Sequence, residues 1–303
     1  MDIKRISGGG YVAYINLSRG ANCIILRHEP TSSVILREPP KSYELDNPFL
    51  YGMPILFPVN RIENARFEFE GRQYVFPLNE PERNCHLHGT LHEKEFRISE
   101  LTDSSLEAVF EAEYEEYLGF PHKFEIRIKY SLSDGGFDKT VTVINHSDEN
   151  MPCLLGFHTT FNARPFGKDV KTRVLLDIER EYERNMENCL PTGVCPAPDR
   201  ITTELTSGTF DPCSEPISRH YLAGGRLRIN ILSDKLGIHY ENSSNLPFRL
   251  VYNREAKEFI CLEPQTSLAN SPSSPFTREE AGFSYIAPHS EKIFTSKIKI
   301  VEE

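Results

Sequence analysis

No stretch of this 303-residue chain approaches the roughly 20 consecutive apolar residues that a membrane-spanning helix requires. The opening residues, MDIKRISGGGYVAYINL, contain no long apolar core of the kind that marks a secretory leader. No concentrated Lys/Arg run offsets the formal net charge of −10, so phosphate backbones and anionic membrane surfaces are repelled. Neither nucleic acid nor a membrane is expected as a partner. The seven cysteines, at 23, 85, 153, 189, 195, 213 and 261, are odd in number and scattered. They include no C-x-x-C pair, and they sit mostly among apolar neighbours. Such a set fits reduced, buried thiols rather than a disulfide frame, and points to a cytoplasmic protein. Convincing 3.6-residue periodicity is also missing, and 21 prolines with 18 glycines interrupt the chain too often for long helices.

Period-2 alternation takes its place. In RFEFEGRQYVFPL, Phe67 and Phe69 face one way, a Glu-Gly turn follows, and Tyr74 and Phe76 resume the pattern, which predicts a hairpin. A second is predicted where Phe124, Ile126, Ile128, Tyr130 and Leu132 alternate with polar residues. There the chain turns at Asp134-Gly135-Gly136 and returns through Val141 and Val143. LEAVFEAEY, RLRINILSDKLGIHY, FRLVYNREAKEFICL and KIFTSKIKI read the same way. The Pro-rich segment from Pro39 to Pro58 reads as an ordered loop across a surface. No repeat, low-complexity tract or linker divides the chain. Amphipathic strands without helices must cover one another, so residues 1–303 are expected to form one all-β domain, a single large antiparallel β-sandwich.

Three places join apolar strand sequence to groups that titrate or hydrogen-bond. PILFPVNRIENARF sets Asn60 and Arg61 directly after an apolar run; a guanidinium there either pairs with a surface acid or aims its fork into a cleft. In NEPERNCHLHGTLHEKEF, an extended backbone puts His86 and His88 on one face, and Gly89 permits close approach of a ligand or a backbone turn. With Glu93, the two histidines also have metal-ligand spacing, resembling the first half of a cupin motif. In PCLLGFHTTFNARPF, His158 ends an apolar run. A lone histidine of this kind is more often a satisfied core residue than a catalyst. FICLEPQT changes that balance, because Glu263 is likewise delivered to the end of a buried strand. An imidazole and a desolvated carboxylate are what acid-base chemistry on an uncharged substrate needs.

The runs GMPILFPVNRIENARFEFEGRQYVFPLNEPERNCHLHG, GFPHKFEIRIKYSL, GFHTTFNA and CLEPQT, in that order, resemble the aldose 1-epimerase (galactose mutarotase-like) family. The resemblance covers the chain from about residue 51 onward. It implies a large β-sandwich with an open sugar cleft, a small-molecule monosaccharide as partner, no metal and no cofactor, in a monomer or homodimer. Carried over by position, Glu263 removes the proton from the anomeric hydroxyl and His158 protonates the ring oxygen. Arg61 and His88 bind the ring oxygen and hydroxyls, with Asn60 and Gln265 close enough in sequence to line the cleft. His86 lies one position before the matched LHG. Two departures stand out. HTTF replaces an aromatic-rich HPYF, reducing the ring surface beside His158, and EPISRHYLAGG carries no aspartate where relatives bind sugar hydroxyls. Relatives acting on hexose 6-phosphates usually carry an arginine soon after the HG pair, which HGTLHEKEF lacks; Arg72 and Arg83 are the remaining candidates for a phosphate. A non-catalytic carbohydrate-binding protein on the same fold is the alternative reading.

Overall fold

We describe the protein from a computed structural model, which covers residues 1–42, 45, 47–114, 116–254 and 257–303. Two large sheets dominate. The first has eight strands, ordered Arg97–Leu101, Ser105–Ala112, Phe124–Ser133, Gly136–Asn145, Glu291–Glu302, Leu236–Asn242, Ile229–Leu232 and Arg173–Leu175. The second runs Ile178–Tyr182, Ile217–Ala223, Phe248–Asn253, Phe259–Gln265, Gly156–Phe157 and Ile55–Leu56, with Thr160–Asn162 also paired to Phe259–Gln265. Every pairing in both sheets is antiparallel. A separate four-stranded antiparallel meander spans residues 3–34.

The sheets pack face to face, as the alternation demands. In the hairpin Phe124–Ser133/Gly136–Asn145, the inward residues Ile126, Ile128, Val141 and Val143 are fully buried. Across the interface Phe161 meets the Tyr240 ring at 5.3 Å, and Thr159 Oγ1 lies 2.8 Å from the Tyr240 hydroxyl. A contiguous core runs from Ile6 to Ile300. The hairpin Arg66–Phe69/Arg72–Val75 forms as expected, with Phe67 and Tyr74 stacked at 4.6 Å. So do the returns Ile229–Leu232/Leu236–Asn242 and Phe248–Asn253/Phe259–Gln265; Glu255 and Ala256, in the turn of the latter, lie outside the described residues.

Two expectations about the elements need correction. The segment 39–58 is not a surface loop throughout. Tyr43, Glu44 and Asp46 lie outside the described residues, but Met53 to Val59 are buried, and Ile55–Leu56 adds a strand beside Gly156–Phe157. Its apolar residues there fill a sheet rather than cover one. A helix also exists, Arg200–Ser207, capped by the Asp199 side chain accepting from the Thr202 N–H and closed by Gly208 at φ 70°. At eight residues with three threonines among them, its periodicity is too short and too diluted to stand out. Among the described residues, no helix is long and apolar enough to cross a membrane.

Of the cysteines, all seven are free; five are buried, Cys213 is half-buried and Cys195 is exposed. The burial expectation fails at those last two.

Candidate active site

The strand Phe259–Gln265 is buried at every residue because it lies inside the second sheet and is covered on both sides. Alternation sends Ile260 and Leu262 into the main core, and Cys261, Glu263 and Gln265 to the opposite face. The strand does not end at the acid. It continues through Pro264 to Gln265, which pairs with Phe248 and Gly156. Next to it, His158 is held by its own backbone N–H donating to the Pro54 carbonyl at 2.9 Å. The result brings His158 Nε2 to 3.4 Å from Glu263 Oε1.

These two groups line a cleft of about 600 Å3, with Phe49, Arg61, His88, Arg184, Leu250 and Tyr252 among the other walls. The volume accommodates a sugar ring. Burial dominates the electrostatics. It lifts the Glu263 carboxyl to about 8, against the opposing pull of the Gln265 hydrogen bond and the Arg184 and Arg61 charges. It drops the His158 imidazole to about 3. Glu263 Oε2 accepts from Gln265 Nε2 at 3.0 Å; among the described residues Glu263 Oε1, His158 Nδ1 and His88 Nδ1 have no hydrogen-bond partner.

The seven residues singled out in the sequence separate into groups. Glu263, His158, His88 and Arg61 line the cleft. Gln265 and Asn60 stand behind it as a relay: Asn60 Nδ2 donates to Gln265 Oε1 at 3.2 Å, and the Arg61 N–H donates to Asn60 Oδ1 at 3.0 Å. His86 turns away, stacking on Phe76 at 4.9 Å, with Nδ1 2.7 Å from the Pro77 carbonyl. His88 reaches the cleft because it adopts φ 64°, a left-handed geometry costly for a residue with a Cβ, and so departs from the extended register that would align it with His86. Gly89 follows at φ 65°, and a Cβ there would collide with the Phe57 carbonyl. The close approach it permits is to backbone.

Arg61 resolves its two readings partly in favour of each. Its Nε and Nη2 donate to the two oxygens of Glu80 at 2.6 and 2.7 Å in a buried fork, while the residue still fronts the cleft. Arg83 Nη1 donates to the same carboxylate at 3.1 Å. Arg83 therefore lies on the cleft wall already paired, whereas Arg72 donates to Glu149 in a separate surface hollow. The cupin-type set does not assemble: His86 sits against Phe76, and Glu93 is exposed beside His92. Among the described residues the group with metal-ligand proximity is His158, Cys261 and Glu263, whose atoms lie within 4.8 Å of one another. The Cys261 thiol is pushed well above its ordinary value by burial, which disfavours the thiolate a metal would take.

Three contributors were not singled out in the sequence. Phe49 stacks near His158 at 6.0 Å and packs on His88 at 4.8 Å, supplying an aromatic wall that HTTF does not. Glu80 orients Arg61. Arg184 lines the cleft, with Nη2 donating to Ser218 Oγ at 2.6 Å; Ser218 is what the aspartate-free segment EPISRHYLAGG contributes.

The antiparallel sandwich, with its cleft on the face of one sheet opposite the main core, defines a class, and comparison with known proteins gives the same one. A family model described as aldose 1-epimerase matches residues 9–287, and the chain belongs to that family. The fold superposes on a galactose mutarotase-like protein from Clostridium acetobutylicum with a TM-score of 0.91, at 30% identity, covering 99% of this chain and 95% of that one. The Lactococcus lactis protein LacX is 23% identical over 72% of this chain and 74% of its own. A match of 34% identity to the uncharacterized protein YihR of Escherichia coli K12 spans 24% of this chain and only 23% of that protein.

Proposed function

We propose that the protein is a cofactor-independent aldose 1-epimerase interconverting the α and β anomers of a monosaccharide. The observation carrying this reading is the 3.4 Å approach of His158 Nε2 to Glu263 Oε1 on the wall of an open cleft. With a pyranose bound, the Glu263 carboxylate takes the proton of the anomeric hydroxyl, the bond from C1 to the ring oxygen breaks, and protonated His158 gives its proton to that oxygen. The open-chain aldehyde turns about C1–C2. Ring closure on the other face returns each proton by the reverse path.

Through this cycle the pair holds one proton between them. Burial favours the neutral form, a carboxylic acid beside an unprotonated imidazole, which is the proton distribution that ring opening leaves behind. Starting a cycle from a cyclic sugar requires the proton on His158. The nearby Arg184 and Arg61 charges support that arrangement because both favour the carboxylate. Arg61, fixed by Glu80, and His88, turned inward by its backbone, are placed to hold the ring oxygen and hydroxyls.

Polarimetry or NMR of freshly dissolved α-aldoses tests this. Glu263→Gln should lose 10²- to 10⁴-fold in rate, the roughly expected worth of a positioned acid-base group, with an unchanged circular dichroism spectrum. A fully active Glu263→Gln variant, or tight sugar binding by wild type with no acceleration of anomer exchange, would refute it.

A further inference from the structure

Arg184 is only 8% exposed, yet no carboxylate comes within 4.0 Å of it among the described residues. Among the described residues its side chain's one hydrogen bond is to Ser218 Oγ, and its buried Nε has no partner. Neighbouring acids are occupied elsewhere: Glu181 accepts twice from Arg219, and Glu80 accepts from Arg61 and Arg83. Glu82 lies 3.7 Å from Arg83. A second lining guanidinium, Arg254, is exposed and likewise makes no ion pair among the described residues. Among the described residues, the only carboxylate on the cleft wall left unpaired with an arginine is Glu263, which the proposed catalytic pair requires. In a chain of net charge −10, two guanidinium groups with no ion pair among the described residues have been gathered at one sugar-sized opening. A guanidinium withdrawn from water is costly unless something neutralises it, and here the protein itself supplies a single hydroxyl.

Resting on the epimerase reading of this cleft, we propose that the substrate is an aldose bearing an anionic substituent, whose oxygens dock on Arg184 with Ser218 and Arg254 alongside. The planar guanidinium presents adjacent N–H donors, which match the paired oxygens of a carboxylate, a sulfonate or a phosphate. Such a ligand brings the missing negative charge itself. A neutral hexose would leave Arg184 buried and unpaired, and the site would select against it.

Anomer exchange measured by NMR on glucose, galactose, glucuronate, galacturonate and glucose 6-phosphate tests the proposal and separates the carboxylate from the phosphate. At least one anionic aldose should exceed the neutral sugar of the same configuration at least tenfold in kcat/KM. Arg184→Met should lower that ratio by roughly 10- to 100-fold, the worth of a charge-assisted contact, with Arg184→Lys retaining part of it. Equal or better turnover of the neutral sugars, or a ratio unmoved in both variants, would overturn the anionic substrate while leaving the epimerase standing. Calorimetry with methyl α-D-glucuronide, methyl α-D-glucoside 6-phosphate and methyl α-D-glucoside, which cannot mutarotate, reads the site independently of turnover. An Arg184-dependent preference for an anionic glycoside, with no turnover of any aldose, would uphold the anion site and discard the epimerase. No such preference would discard the anion site.

Discussion

Replacing Glu263 by glutamine should make the protein more stable at alkaline pH even as it removes the proposed catalytic base. The carboxyl is fully buried and its folded-state value is about 8, against an ordinary value near 4.5. Below pH 4.5 it is protonated whether the chain is folded or not, and costs nothing extra. As pH rises from 4.5 towards 8, the unfolded chain releases this proton while the folded protein retains it, so stability falls; above 8 the loss is complete. Across that gap, at roughly 1.4 kcal/mol per pH unit, the ceiling is on the order of 5 kcal/mol. Glutamine keeps the shape, can still accept from Gln265 Nε2, and removes the charge. His158 works in the opposite sense: with its folded value near 3, stability rises with pH between about 3 and 6.5. Subtracting the variant's urea-unfolding curve from that of wild type at each pH removes this contribution. The stability advantage of Glu263→Gln should grow from pH 4.5 to 8 and then level. A difference that stays flat from pH 4 to 9 would show that the carboxyl is not held protonated by the fold, and the account of the resting pair would fail.

Two further outcomes follow from the same structure. Because Glu263 and His158 need exactly one proton between them, kcat/KM should be level through neutrality. It should fall about tenfold per unit above pH 8, where Glu263 ionises and no acid remains, and again only near pH 3, where both are protonated; stopped-flow polarimetry in pH-jump mode measures this, and a rate rising through pH 9 would contradict it. Lys139 is fully buried in the sandwich, its Nζ without a hydrogen-bond partner among the described residues and 3.5 Å from the Phe157 ring centroid, and burial holds its pKa well below the ordinary value. Lys139→Met should therefore raise stability by about 1–3 kcal/mol at pH 7, with the gain largest at low pH; thermal unfolding that shows a loss at pH 6 would mean the cation–π contact outweighs the desolvation.

What could be read from the sequence was what strands encode locally. Alternation placed the hairpins of both sheets, and apolar runs leading into Glu263 and His158 marked the proposed acid-base pair, because an ionisable group at the end of an apolar run stands out. His88 and Arg61 were legible mainly through the resemblance. Arg184 was not legible at all: it sits in YERNMENCLPTG, a polar stretch without period, and becomes part of the cleft only through its bridge to Pro191 and its bond to Ser218. Glu80 lies in NEPERN, which has the look of a solvated turn, and is buried only because Arg61 and Arg83 converge on it from elsewhere. His86 misled for the reciprocal reason. Its spacing from His88 implied a shared face, and the positive φ at residue 88 abolished the extended geometry on which that inference depended.

The strand Glu291–Glu302 occupies an interior place in the eight-stranded sheet, between Gly136–Asn145 and Leu236–Asn242. During synthesis these two earlier strands therefore emerge with facing edges open, one of them for some 150 residues of further elongation, roughly the gap their positions imply. Until the intervening strand is made, each presents unsatisfied amides and a greasy face to any neighbour in the cell. Expression at lower temperature or with holdase chaperones should raise soluble yield for this reason, and substitutions that slow the docking of that last piece should show up first as inclusion bodies, well before they register in the equilibrium stability of protein that has folded.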